Sequence, residues 1–157
     1  MKWTFVSLSA LLGIVAFVLP AMQDARAGAV VEHDFIGAES CRGCHQQQFE
    51  QWAAGPHARA LASLSERERQ DKRCQQCHTM VPDDGDPALQ GVQCEACHGP
   101  GRHYAKEWVM RDSELRQHLQ LATPDEKTCT RCHTESAPSL TPFVYQEKLE
   151  KIRHWGK

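Results

Sequence analysis

Apolar residues are unevenly spread along this chain. The first run, Phe5–Leu19, is a fifteen-residue and mainly apolar stretch. Lys2 precedes it and Ala25-Arg26-Ala27 follows it. A short positive region, an apolar centre and a small-x-small tripeptide predict a cleaved secretory signal over residues 1–27, with the mature chain starting near Gly28. A spanning helix needs about twenty apolar residues, so this run is short for one, and an uncleaved anchor is the alternative reading.

After this run, polar and apolar positions fall into short segments divided by Gly and Pro. Residues 28–38 read as an extended lead-in. A helix is predicted from about Ser40 to Ala53, broken by Gly55-Pro56, and a second from about His57 to Gln70. Val81–Gly91 (VPDDGDPALQG) reads as a loop. Gly99-Pro100-Gly101 ends the helical turn before it, and a longer helix is predicted from about Arg102 to Leu121. Thr123-Pro124-Asp125-Glu126 has the form of a capping box, with Thr at the N-cap, Pro at the first helical position and Glu at the third. Thr141-Pro142 opens a last helix through FVYQEKLEKIRHW. No segment alternates with the period of a strand. The predicted fold class is therefore mainly α: one small domain, residues 28–157, of short helices and loops.

What these segments carry changes the picture. Four of them contain Cys-x-x-Cys-His: Cys41–His45, Cys74–His78, Cys94–His98 and Cys129–His133. Together they use all eight cysteines. Four short Cys-x-x-Cys loops as disulfides would not staple distant segments and would leave the histidines unexplained. Zinc sites use Cys-x-x-Cys pairs without requiring a histidine after each one. A thioredoxin-type motif occurs once per domain, in a βαβ setting. The remaining chemistry is c-type haem attachment. Each cysteine forms a thioether on one haem vinyl group, and the next imidazole lies under the iron. Four covalently attached haem c groups are therefore expected on Cys41/Cys44, Cys74/Cys77, Cys94/Cys97 and Cys129/Cys132. His45, His78, His98 and His133 are the expected proximal ligands. Covalent haem attachment in bacteria takes place outside the inner membrane, which agrees with export to the periplasm or beyond.

Without residues 1–27 the chain has 130 residues, or 32.5 per haem. So few residues per cofactor cannot build an ordinary core, so the haem faces are expected to supply buried apolar surface and the chain to wrap around them. Without Lys2, Arg26 and Asp24, 16 basic and 19 acidic residues remain, a net charge of −3. No basic block suited to nucleic acid is present. Modest acidity favours basic patches on redox partners.

Five histidines lie outside the motifs: His33, His57, His103, His118 and His154. His57 follows Gly55-Pro56 at once, and His103 stands two residues after Gly99-Pro100-Gly101. Each break turns the chain away from its own haem, so each of these imidazoles is expected to serve a different one. His154 closes the last helix and is placed to fold back onto the fourth haem.

IGAESCRGCH, FEQWAAGPHARAL, GVQCEACHGPGRHY, CTRCH and the terminal FVYQEKLEKIRH resemble, in that order, the tetrahaem cytochrome c-554 family. The resemblance implies His57 as the cap of the third haem, His103 of the first and His154 of the fourth, with His118 as the substitute for His154. It implies a five-coordinate second haem on His78, with His33 and His118 as the imidazoles left to cap it. It also implies a periplasmic carrier that passes electrons from haem to haem, between periplasmic dehydrogenases or reductases and either a membrane-associated quinone-linked partner or a terminal acceptor. Two other functions compete. One is a reductase of nitric oxide or hydroxylamine at an open second haem, with Asp83, Asp84 and Asp86 as nearby acids. The other is a subunit of an extracellular haem filament.

Overall fold

The computed structural model describes residues 33–82, 85–137 and 142–154. The expected signal segment, residues 28–32 of the lead-in, Asp83, Asp84 and Thr141 lie outside them. The described chain is helical and carries no strand; its one β-bridge joins Thr79 to Gln90.

Ten short helices follow one another: α1 Ala38–Arg42, α2 Gln46–Ala54, α3 Glu66–Arg69, α4 Lys72–His78, α5 Cys94–His98, α6 Gly101–Tyr104, α7 Glu107–Met110, α8 Ser113–His118, α9 Glu126–Thr130 and α10 Tyr145–Ile152. Turns of 3-10 helix cover His57–Arg59, Leu61–Ser63 and Pro87–Leu89. Helices of four to nine residues are marginal alone in water, so side-chain caps and tertiary contacts must hold them. Ser65 caps α3 through a box closed by Glu68, Asp71 caps α4, and Asp112 caps α8.

Several expected boundaries move. The segment 40–53 is two helices, parted at Gly43–His45. The segment 57–70 is two 3-10 turns and the four-residue α3. The segment 102–121 is three helices rather than one. The capping box before the fourth motif is built on Asp125 and Thr128, not on Thr123 and Glu126. Asp125 accepts from the Thr128 amide at 2.9 Å, and a carboxylate caps more strongly than the threonine two residues earlier. The last helix ends at Ile152, so His154 follows it instead of closing it.

The apolar core is small. Among the described residues the buried hydrophobic side chains are Ala38, Leu89, Tyr104 and Val109. Two buried polar residues, Gln93 and Glu95, do most of the tying. The Glu95 carboxylate accepts from Ile36 N at 3.0 and 3.1 Å, Gly37 N at 2.8 Å and Gly101 N at 2.6 Å. Gln93 accepts from Ala38 N at 2.6 Å and donates to the carbonyls of Ala88 and Gln90 at 2.6 and 2.9 Å. These bonds seat the N-terminus of α1, which carries the first motif, against α5, which carries the third. Gly101 is required where it stands, because a Cβ there would lie 2.8 Å from Ile36 Cδ1 and 3.0 Å from Glu95 Oε1.

Candidate haem sites

Each Cys-x-x-Cys-His segment sits on or at the end of a helical turn. The Cys41 carbonyl accepts from His45 N at 3.0 Å, and the Cys129 carbonyl from His133 N at 3.1 Å. The second and third motifs lie inside α4 and α5. Helical spacing places the first cysteine, the second at i+3 and the histidine at i+4 on one face. All eight cysteines are free thiols in the structure. Burial pushes the Cys97 and Cys129 thiols up and takes Cys132 to about 12, so these three stand protonated at neutral pH.

Cys44 departs from the other expected attachment residues. It is exposed, whereas the other seven cysteines are partly buried. α1 ends at Arg42, and Cys44 stands in the turn beyond Gly43, with its amide donating to the Cys41 carbonyl at 3.2 Å. The first pair has one partly buried thiol, Cys41, and one open to solvent, so the protein fold by itself does not enclose Cys44 as a haem-binding residue, and its assignment rests on the motif.

The motifs are also close to one another. The Cys41 side chain lies beside that of Cys94 and Cys132 beside Cys77, and Cys97 is close to Cys129. Contact therefore runs from the first motif to the third, from the third to the fourth and from the fourth to the second.

Two imidazole pairs stand out. His57 faces His133 with ring centroids 6.2 Å apart and planes at 69°. His98 faces His154 at 5.9 Å and 67°. Two imidazoles on opposite faces of one metal need nearly this span, since two metal–nitrogen bonds of about 2 Å plus the ring radii come to roughly 6 Å. In the structure the His57 ring stands beside His133 of the fourth motif and the His154 ring beside His98 of the third, whereas the resemblance implies the third haem for His57 and the fourth for His154. The reason is the direction of the chain after Gly55-Pro56. The His57–Arg59 turn is held by Val92 N, which donates to the His57 carbonyl at 2.9 Å, and this aims the ring at His133. α10 meanwhile lies over the third motif. Cys97, His98, Cys129, Tyr145, Leu149 and His154 line a small cavity of about 40 Å³ there. An open cavity of about 700 Å³ borders His133 and Phe143, whose rings stack at 4.5 Å.

The remaining outside histidines stand elsewhere. His103 is half-exposed, with Nε2 3.5 Å from Asp34 Oδ2, while Arg102 Nε holds the other carboxylate oxygen at 3.0 Å. His118 is exposed, 3.8 Å from Glu114, and does not join the fourth motif as a substitute for His154. The His33 ring lies 5.9 Å from Phe35, and its carbonyl accepts from Arg102 at 2.5 Å. Among the described residues, no ring contact joins His45 or His78 to a second imidazole.

The structure adds partners that no motif announces. His78 Nδ1 lies 2.6 Å from the Ala60 carbonyl, His98 Nδ1 3.2 Å from that of Ala122, and His154 Nδ1 3.1 Å from that of Ile152. A carbonyl only accepts, so each Nδ1 carries a proton and Nε2 is the nitrogen through which the ring would bind a metal. Burial pushes His57 and His98 below the ordinary imidazole range, which keeps both rings neutral. Thiol pairs, neutral imidazoles with carbonyl-fixed tautomers, ring pairs at metal-bridging distance and a very small core all fit covalently held haem. Glu95 had one visible signal in the sequence, a charge inside a motif next to Gly-Pro-Gly. The Ala60 and Ala122 carbonyls had none.

Known proteins agree with this chemistry. The family described as cytochrome c554 and c-prime matches residues 40–99. Cytochrome c-554 of Nitrosomonas europaea is 30% identical over 116 residues, covering 59% of this chain and 49% of that protein. The chain thus spans about half the length of this curated relative. The structure of the reduced state of cytochrome c554 from Nitrosomonas europaea superposes with a TM-score of 0.56 and 25% identity, over 74% of this chain and 81% of the other. The four motifs, the helical fold and these three likenesses make the chain similar to cytochrome c-554, with the covalent attachment motifs of a c-type cytochrome.

Proposed function

We propose that this chain is an exported, periplasmic electron carrier holding four haem c groups in one domain, residues 28–157. Cys41/Cys44, Cys74/Cys77, Cys94/Cys97 and Cys129/Cys132 are the attachment points, with Cys44 at the open edge of the first. His45, His78, His98 and His133 are the proximal ligands. His57 completes the fourth site opposite His133, His154 completes the third opposite His98, and His103 is the candidate for the first. Bound haem iron supplies one-electron chemistry and nothing else is required of it here. The chain's own part is to bring the motifs close together in the order first–third–fourth–second, the first clasped to the third through Glu95 and Gln93. It also closes the sites to small molecules with a second imidazole and fixes the proximal tautomers through backbone carbonyls. Similarity to cytochrome c-554 supports transfer between redox partners, with a quinone-linked or terminal acceptor as one of them. No helix among the described residues is long and apolar enough to cross a membrane.

The observation that carries this reading is the pair of imidazole couples at 6.2 and 5.9 Å. Paired imidazoles suit electron transfer because they leave no open coordination position. A second reading, reduction of a small ligand such as nitric oxide, attaches to His78, whose haem the resemblance to the cytochrome c-554 family leaves five-coordinate.

The deciding experiment starts from protein matured with haem in a periplasmic host. Its mass counts the haems, and four are expected. A low-temperature paramagnetic resonance spectrum is then recorded with and without nitric oxide. At least two low-spin bis-imidazole haems are expected. One high-spin haem that binds the gas favours ligand chemistry at His78, whereas four low-spin, inert haems leave electron transfer alone. A spectrum without bis-imidazole signals overturns the carrier reading.

A further inference from the structure

One hub joins the second and fourth sites. The turn that leaves Gly55-Pro56 sends the His57 ring to His133. Three residues later the Ala60 carbonyl accepts the Nδ1 proton of His78 at 2.6 Å, a short bond for nitrogen and oxygen. The turn is tight: Arg59 N donates to Pro56 O at 3.1 Å and Ala60 N to His57 O at 3.2 Å. Gly91 and Val92 close it from behind. Gly91 N donates to the His78 carbonyl at 3.1 Å, and Val92 N to the His57 carbonyl at 2.9 Å. Gly91 has φ +82°, and a Cβ there would lie 2.7 Å from Ala58 O and 3.1 Å from His57 O. A side chain at 91 therefore cannot enter without displacing the turn.

We propose that the His57–Ala60 turn, seated on Gly91, is a shared positioning device: it ties the reach of His57 at the fourth site to the hydrogen bond that orients His78 at the second, so a change at either site is read at the other. The inference rests on the ligand roles proposed above for His57 and His78. The physical basis is that one rigid four-residue segment carries a ring for one site and an acceptor for the other. The acceptor sets both the orientation and the basicity of the ligating imidazole. A shift of the segment cannot change one without changing the other, and coupling of this kind is reciprocal.

The test uses fully haem-loaded protein, with low-temperature paramagnetic resonance and an optical redox titration. His57→Ala identifies the fourth-haem signal by converting it to high spin. If His57→Ala leaves every haem low-spin, the ligand reading itself fails. Gly91→Ala is expected to move the fourth-haem resonance and the potential of the second haem together. Gly99→Ala is the matched control, because Gly99 is also left-handed at φ +81° and its Cβ would lie 2.6 Å from Gln120 O. It is expected to move third-haem signals alone. The proposal is overturned, with the ligand reading intact, if Gly91→Ala moves only one of its two signals or if Gly99→Ala moves the same pair. Should Gly91→Ala fail to take up haem, His78→Met decides. Methionine keeps an axial ligand but lacks the Nδ1 donor, so the fourth-haem resonance is expected to shift, and an unchanged resonance overturns the proposal.

Discussion

Replacing Glu95 with Ala is expected to detach the first motif from the third. Glu95 is 2% exposed and receives three backbone N–H groups, from Ile36, Gly37 and Gly101. Alanine leaves all three without an acceptor in a buried place. An unsatisfied buried donor costs about 1–3 kcal/mol, so three come to about 4 kcal/mol once some water enters the space left behind. With an unfolding slope of about 2 kcal/mol per molar urea, the midpoint of the haem-loaded protein should fall by about 2 M. Glu95→Gln keeps the shape and one accepting oxygen but turns an amide NH2 toward a backbone donor, so about half of that loss is expected. The assay is urea unfolding followed by far-ultraviolet circular dichroism. Glu39→Ala is the reference, because Glu39 pairs only with Arg42 at 2.8 Å and its side chain is 70% exposed. Exposed pairs of this kind contribute about 0–1 kcal/mol. If Glu95→Ala moves the midpoint no further than Glu39→Ala, the carboxylate is not the clasp between the two motifs.

Other outcomes follow from single residues. Gln120 holds φ +74° without being glycine, at a cost of about 1 kcal/mol, so Gln120→Gly should raise the urea midpoint slightly. The hydrogen bonds of the Arg73 guanidinium and amide hold Asp71 at about 2, below its ordinary 3.8. Its folded value is depressed, so its support of α4 is present above pH 3.8 and lost as pH falls toward about 2. Asp71→Asn should remove that part of the acid dependence, seen by comparing midpoints between pH 5 and pH 2. His154→Ala should turn one low-spin haem high-spin, whereas His118→Ala should leave the resonance spectrum unchanged, since His118 is exposed beside Glu114.

The attachment motifs are legible in the sequence because their chemistry is local. Two thiols and an imidazole at i, i+3 and i+4 need only one helical turn to share a face, and α4 and α5 supply it within five residues of sequence. How far each thiol is enclosed is not local: Cys44 and Cys132 both stand two residues past the end of their helices, yet Cys132 is partly buried and Cys44 is exposed. The mainly helical character is legible for the same reason as the motifs, since breakers and caps act on neighbours. Asp71 and Asp112, which start α4 and α8, carry that local signal too, both being strong N-cap types.

The axial partners are not legible, because each depends on where the chain returns after a break. The segment 102–121 shows the cause. It contains no Gly and no Pro, so it reads as one helix. A straight helix of that length would run about 30 Å and carry Ala122 far from the third motif. Instead the chain bends at Ala105-Lys106 and again at Asp112, whose carboxylate accepts from Glu114 N and Leu115 N, both at 3.0 Å. Gln120 then takes a left-handed conformation against Gly99. These bends return Ala122 to His98, where its amide donates to the His98 carbonyl at 2.8 Å and its carbonyl meets Nδ1. Local propensity favours the long helix, and the tie between Ala122 and His98 overrides it. The same competition explains His57 and His154. A Gly-Pro break announces that the chain will turn, but only Val92 on the His57 carbonyl, and the seat of α10 over Cys97 and Cys129, decide which proximal histidine each ring meets.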